Sequence, residues 1–163
     1  MWKNLLKLLH FASLVGLAGG TVVSLVLADK IDATSPGGTA AMHAAIALIG
    51  AAVVVPSLIV MLLTGMLLVV ARPHLIGQRW VWLKAALGCV VGGVVLVALQ
   101  PAMNAAASMS AAGALGQAAM GSLEHVTTAE YAAACWTLGL VVAATIVAIW
   151  RPRFGRPRDN AET

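Results

Sequence analysis

The sequence predicts an all-α, polytopic membrane protein, a bundle of four transmembrane helices with both termini cytoplasmic. Three observations predict it. The chain is 61% hydrophobic and only 10% charged over 163 residues, with a mean hydropathy of +0.94, far from the balance of a water-soluble domain. Its apolar residues fall into four long runs separated by short polar or Pro/Gly-containing connections. Its basic residues collect on alternate connections. A spanning helix needs roughly 20 apolar residues, so a chain of this length holds four or five spans and leaves no room for a separate catalytic domain. The net charge of +4 does not indicate nucleic-acid binding, because the basic residues sit at helix ends and not along one polar face.

The first run, Leu5 to Ala28, opens with Lys3 and Lys7. A basic start and apolar body also mark a secretory signal, with cleavage after Ala28 as the alternative. The apolar stretch from Leu8 to Ala28 exceeds the roughly 7–15 residues of a signal core, and a span is the better reading. Asp29 to Gly38, with Pro36, Gly37 and Gly38, forms a short polar connection. Ala40 to Val70 is too long for an upright span, so tilt, projection or a kink near Pro56 is expected. Neighbouring helices can satisfy the carbonyl that Pro56 frees.

A basic turn follows, with Arg72, Pro73, His74, Gln78 and Arg79, and Trp80 to Lys84 opens a third span running to about Leu99. The two tryptophans suit a membrane interface. Residues 100–127 are rich in Ala, Gly, Ser and Met and lack the Leu, Ile and Val of a lipid-facing helix. They are read as a helical or irregular segment at the outer surface. The fourth span covers about 128–150, and residues 151–163 form a basic cytoplasmic tail whose composition predicts disorder.

Counting Lys and Arg sets the orientation. Lys3, Lys7, Arg72, Arg79, Lys84, Arg151, Arg153, Arg156 and Arg158 fall on one side and Lys30 alone on the other, which makes the crowded side cytoplasmic. Asp29, Asp32, Glu124 and Glu130 gather on the opposite side. A fifth span within 101–127 would send the last four arginines outward. Cys89 and Cys135 lie within apolar runs entering from opposite sides, which disfavours a disulfide. Gly16 with Gly20, and Gly88 with Gly92, have the small-xxx-small spacing that lets helix backbones approach closely. They serve either packing within the bundle or an interface with a second copy or a larger membrane complex.

Ionisable groups at membrane depth are costly without a partner and carry most of the chemistry such bundles perform. His10 lies one and a half turns into the first span and Lys84 just inside the third, both in the cytoplasmic leaflet. A neutral imidazole is a good axial ligand for haem iron, and a nearby cation can pair with a haem propionate, an anionic quinone or a lipid headgroup. The structural alternatives are a hydrogen-bonded or headgroup-facing histidine and a snorkelling lysine. His74 reads as a surface residue, or else as a partner of His10.

On the outer side, His43 opens the second span and His125 precedes the fourth. At about 1.5 Å per residue, His10 lies roughly 27 Å along its helix from Ala28, too far to share an iron with His43. His43 with His125 is therefore the candidate pair for a bis-histidine haem. Met42, Met103, Met109 and Met120 lie in the same region, and thioether with imidazole is a ligand set suited to Cu(I). Methionine is equally a filler of helix interfaces. No nucleotide loop, zinc motif or nucleophile elbow is present.

Two stretches carry a family resemblance. Leu5-Leu6-Lys7-Leu8-Leu9-His10-Phe11 with Gly16 and Gly19-Gly20 resembles the opening of small bacterial membrane proteins such as HemJ-type protoporphyrinogen oxidases, CopD-like copper-resistance proteins and related uncharacterised four-helix families, and Pro56 to Leu68 with Thr64-Gly65 followed by Trp80-Val81-Trp82-Leu83-Lys84 is similar to the pattern of the HemJ-like group. The resemblance covers about half the chain. It implies a b-type haem, with His10 matching the family histidine of the first helix and Lys84 the lysine of the third. The Ala/Met-rich outer segment and the arginine tail depart from that pattern. The leading expectation is thus a small haem-b protein of the bacterial inner membrane handling electrons or haem-pathway intermediates. A non-enzymatic subunit or assembly factor and a copper-handling protein are the rivals.

Overall fold

The computed structural model describes residues 2–31, 36–71, 77–112 and 117–150. His74 with the rest of the basic turn at 72–76, and the arginine tail at 151–163, lie outside the described residues. Four helices long and apolar enough to cross a membrane run through Asn4–Asp29, Gly38–Val70, Arg79–Ala111 and Gly121–Trp150. Helices of 30–33 residues, as the last three are, measure roughly 45–50 Å at 1.5 Å per residue, so they exceed a hydrocarbon core of about 30 Å and must tilt or project.

Successive helices are antiparallel. His10, Gly16 and Gly20 of the first helix meet Thr64, Ser57 and Val54 of the second, in reverse order along the chain. Gly50 of the second meets Gln100 and Met103 of the third, and Leu62 meets Gly88 and Gly92. Trp2 and Trp150 therefore belong to one end of the bundle, called here the termini end.

These contacts settle what the glycines do in this structure. A Cβ on Gly16 would collide with the Ser57 hydroxyl, and one on Gly20 would stand 2.9 Å from Val54 Cγ2. Gly88 and Gly92 are covered by Leu62 at 3.4 and 3.6 Å from such a Cβ. Both small-xxx-small faces are occupied by the chain's own helices.

The second and third helices each contain a π-helical turn, Gly50–Val54 and Val94–Leu99, and each turn runs into a proline, Pro56 or Pro101. The N–H of Val55 reaches Gly50 O and that of Gln100 reaches Val95 O, five residues back. Widening the ladder just before a residue that cannot donate lets each helix continue through its proline.

Residues 100–127, expected to be a helical or irregular segment, are helical over most of their length. The third helix passes Pro101 and ends at Ala111, and the fourth begins at Gln117, so the segment is mostly the adjoining ends of two spans. Alanine is the best helix former, and small side chains suit close approach between helices. Met103 and Ala106 are fully buried there.

The core is formed by Leu17, Ile46, Val54, Leu58, Val95 and Leu99, each 0% exposed. Only 22–28% of each spanning stretch is buried, and the outward faces carry residues such as Leu8, Val15, Leu48, Val97 and Ile149. This exterior suits hydrocarbon. Interior hydroxyls are satisfied locally: Thr21, Ser24 and Thr137 donate to the carbonyls of Leu17, Gly20 and Ala133 at 2.8–3.0 Å, as hydroxyls in apolar helices commonly do. Cys89 and Cys135 are free and exposed on the bundle surface.

Candidate functional sites

Near the termini end, His10 projects from the first helix onto the second. Its Nδ1–H donates to Met61 O at 3.0 Å and to Thr64 Oγ1 at 3.1 Å. A carbonyl can only accept, so Nδ1 carries the proton. The Thr64 hydroxyl spends its own proton on Val60 O at 2.6 Å and meets the imidazole as an acceptor. In the neutral ring Nε2 is then an unprotonated nitrogen with an in-plane lone pair, and among the described residues it has no hydrogen-bond partner.

Gly65 lies beneath the ring: a Cβ there would stand 3.4 Å from His10 Cε1 and 3.8 Å from Nδ1, in ordinary van der Waals contact. The third helix brings Lys84, partly buried, within electrostatic range of His10. The two stretches that carry the family resemblance thus meet in space: His10 from one rests on Thr64-Gly65 of the other, with Lys84 close by. His10 and Lys84 were both singled out in the sequence. Thr64 and Gly65 entered only as motif letters, because nothing local shows that a threonine two turns beyond Pro56 will face a histidine 54 positions away.

A second polar site lies at the opposite end, in a cleft of about 240 Å³ lined by Ala28, Asp29, His43, Thr128, Glu130 and Tyr131, among others. His43 is 2% exposed and Glu130 5%. Neither side chain makes a hydrogen bond or ion pair among the described residues, and His43 Nδ1 is completely buried. Sequence reasoning treated Glu130 as a topology marker. Its position inside the fourth helix, among Ala and Tyr, was the available signal.

The expected pairing of His43 with His125 is not what the structure assembles. His125 is exposed and lines a different depression with Gly121, Ser122 and Val126, whereas His43 points toward the cleft of Glu130. The two histidines line separate depressions, an arrangement that does not favour a bis-histidine haem between them. Met103 is buried, its sulfur against Gly50. Met42 and Met109 are partly buried, and the Met120 side chain lies outside the described residues. Among the described residues no three His, Cys, Asp or Glu side chains converge as a metal site.

No protein-family model, curated protein or solved structure matches this chain. The chemistry must be argued from the two sites themselves.

Proposed function

We propose that this chain is a multi-pass protein of the bacterial inner membrane, its termini in the cytoplasm, that binds haem b at His10 and takes part in electron transfer or a haem-linked oxidoreduction. The observation that carries the reading is the fixed His10 tautomer. A ligating imidazole is ordinarily held by a hydrogen bond from its other ring nitrogen to a carbonyl or similar acceptor, which sets its orientation and raises its basicity. Met61 O and Thr64 Oγ1 do this here, leaving Nε2 for iron. Lys84 would supply a cation for a propionate. When bound, the haem would supply one-electron chemistry at its iron. His10 would hold it, Thr64 and Met61 would orient His10, and Lys84 would offset its carboxylate charge. The cytoplasmic placement of this site rests on the nine-to-one division of basic residues.

The test is the absorption spectrum of detergent-purified protein expressed with ample haem, oxidised and dithionite-reduced. A reduced-minus-oxidised haem signal is expected in the wild type, in His43→Ala and in His125→Ala, and its loss in His10→Ala. Absence of the signal from the wild type would refute haem binding and leave a non-enzymatic membrane subunit as the better reading.

A further inference from the structure

We propose that the outer cleft binds a small organic ammonium ion, with Glu130 as its counter-ion and His43 as a hydrogen-bond acceptor. The argument begins with an imbalance of charge. Glu130 is 5% exposed in a spanning helix and makes no ion pair among the described residues. Lys30 is the one Lys or Arg that the sequence places at this end, and it is 64% exposed and paired with Asp29 at 3.0 Å. A carboxylate held at such depth without a fixed partner is costly, and a mobile cation relieves that cost.

The lining selects the kind of cation. Asp29 and Glu130 accept hydrogen bonds, and the Thr128 hydroxyl has committed its proton to Glu124 O at 2.8 Å, so its oxygen also faces a ligand as an acceptor. His43, 2% exposed and lining the cleft, has no partner on either ring nitrogen among the described residues. The Tyr131 hydroxyl and one imidazole N–H are the donors set against these acceptors. Such a surface calls for a ligand rich in N–H donors, and a ring nitrogen serves an ammonium better than it serves a hard alkali ion. A multivalent metal is disfavoured because no three metal-ligating side chains of the His, Cys, Asp or Glu kind converge among the described residues. Tyr131 adds an aromatic wall of the kind that attracts cations. The cleft volume of about 240 Å³ admits only a small molecule, and Asp29, 69% exposed, marks its opening to water.

The experiment is calorimetric titration of the full chain in detergent with ethylammonium chloride against a sodium chloride background of equal ionic strength. Saturable binding of one ion per chain is expected. Glu130→Gln, which removes the charge and keeps the shape, should weaken it by about tenfold or more. Ala28→Leu should weaken it comparably by filling the cleft, and tests the same site should Glu130→Gln not fold. His125→Gln should leave it unchanged. The proposal is overturned if ethylammonium shows no saturable binding, if ethanol or sodium binds equally well, or if the folded cleft variants bind as the wild type does.

Discussion

Adjacent glycines on the first helix offer a sharp test of the packing, because the structure assigns them opposite environments. Gly20 faces the second helix: a Cβ there would lie 2.9 Å from Val54 Cγ2 and 3.3 Å from Val53 Cγ1, closer than such contacts tolerate. Gly19 has nothing within 4 Å of the same position. Gly→Ala in a helix gains up to about 1 kcal/mol from lower backbone entropy, while overpacking a filled core costs about 1–3 kcal/mol. Val54 is a β-branched, fully buried side chain with little freedom to yield. Gly19→Ala should therefore be neutral or stabilising by up to about 1 kcal/mol, and Gly20→Ala should be destabilising by up to about 2 kcal/mol. Trimming the neighbour in Gly20→Ala/Val54→Ala should return part of the loss as a positive coupling of about 1 kcal/mol. The assay is reversible unfolding in mixed micelles, followed by circular dichroism at two protein concentrations. Equal effects at positions 19 and 20 would refute the packing described, and a loss at Gly20 that scales with concentration would move that face to an interface between chains.

Three further outcomes test the proposed haem site and the proposed orientation. With haem held as proposed, Thr64→Val removes one of the two acceptors that orient His10 and should weaken haem binding by about 10–100-fold; Thr137→Val, a buried hydroxyl elsewhere, should leave affinity unchanged in the same haem titration. Lys84→Gln should lower haem affinity by about tenfold, and Lys84→Arg should restore most of it, as expected for loss and return of one propionate charge pair. With Cys89 and Cys135 replaced by Ala, Lys30→Cys should react with a membrane-impermeant maleimide in intact cells and Arg158→Cys only after permeabilisation; the reverse pattern would invert the orientation assigned by the basic residues.

The class of the protein was legible in the sequence because lipid imposes a one-dimensional rule: a span must be long and apolar, and its backbone must satisfy itself. The starts and ends of the first two spans, Leu5 to Ala28 and Ala40 to Val70, lie within a few residues of the observed helices for that reason. The Ala- and Met-rich stretch after Leu99 escaped the rule. Its composition is poor in Leu, Ile and Val because side chains such as Met103 and Ala106 are buried within the bundle, and the helix runs on through Pro101 after a π turn. His10 and Lys84 stood out by themselves because an ionisable group in an apolar run is visible from its neighbours alone. Tertiary structure alone decided what each touches. It set His10 on Gly65 with Thr64 as acceptor, separated His43 from His125, and turned Glu130 from a marker of the outer side into a carboxyl group lining a cleft with no ion-pair partner among the described residues. A hydropathy pattern records how far each residue lies along its helix, whereas these relationships depend on the rotation of one helix against the next, which close packing of glycines and β-branched side chains sets only when all four are in place.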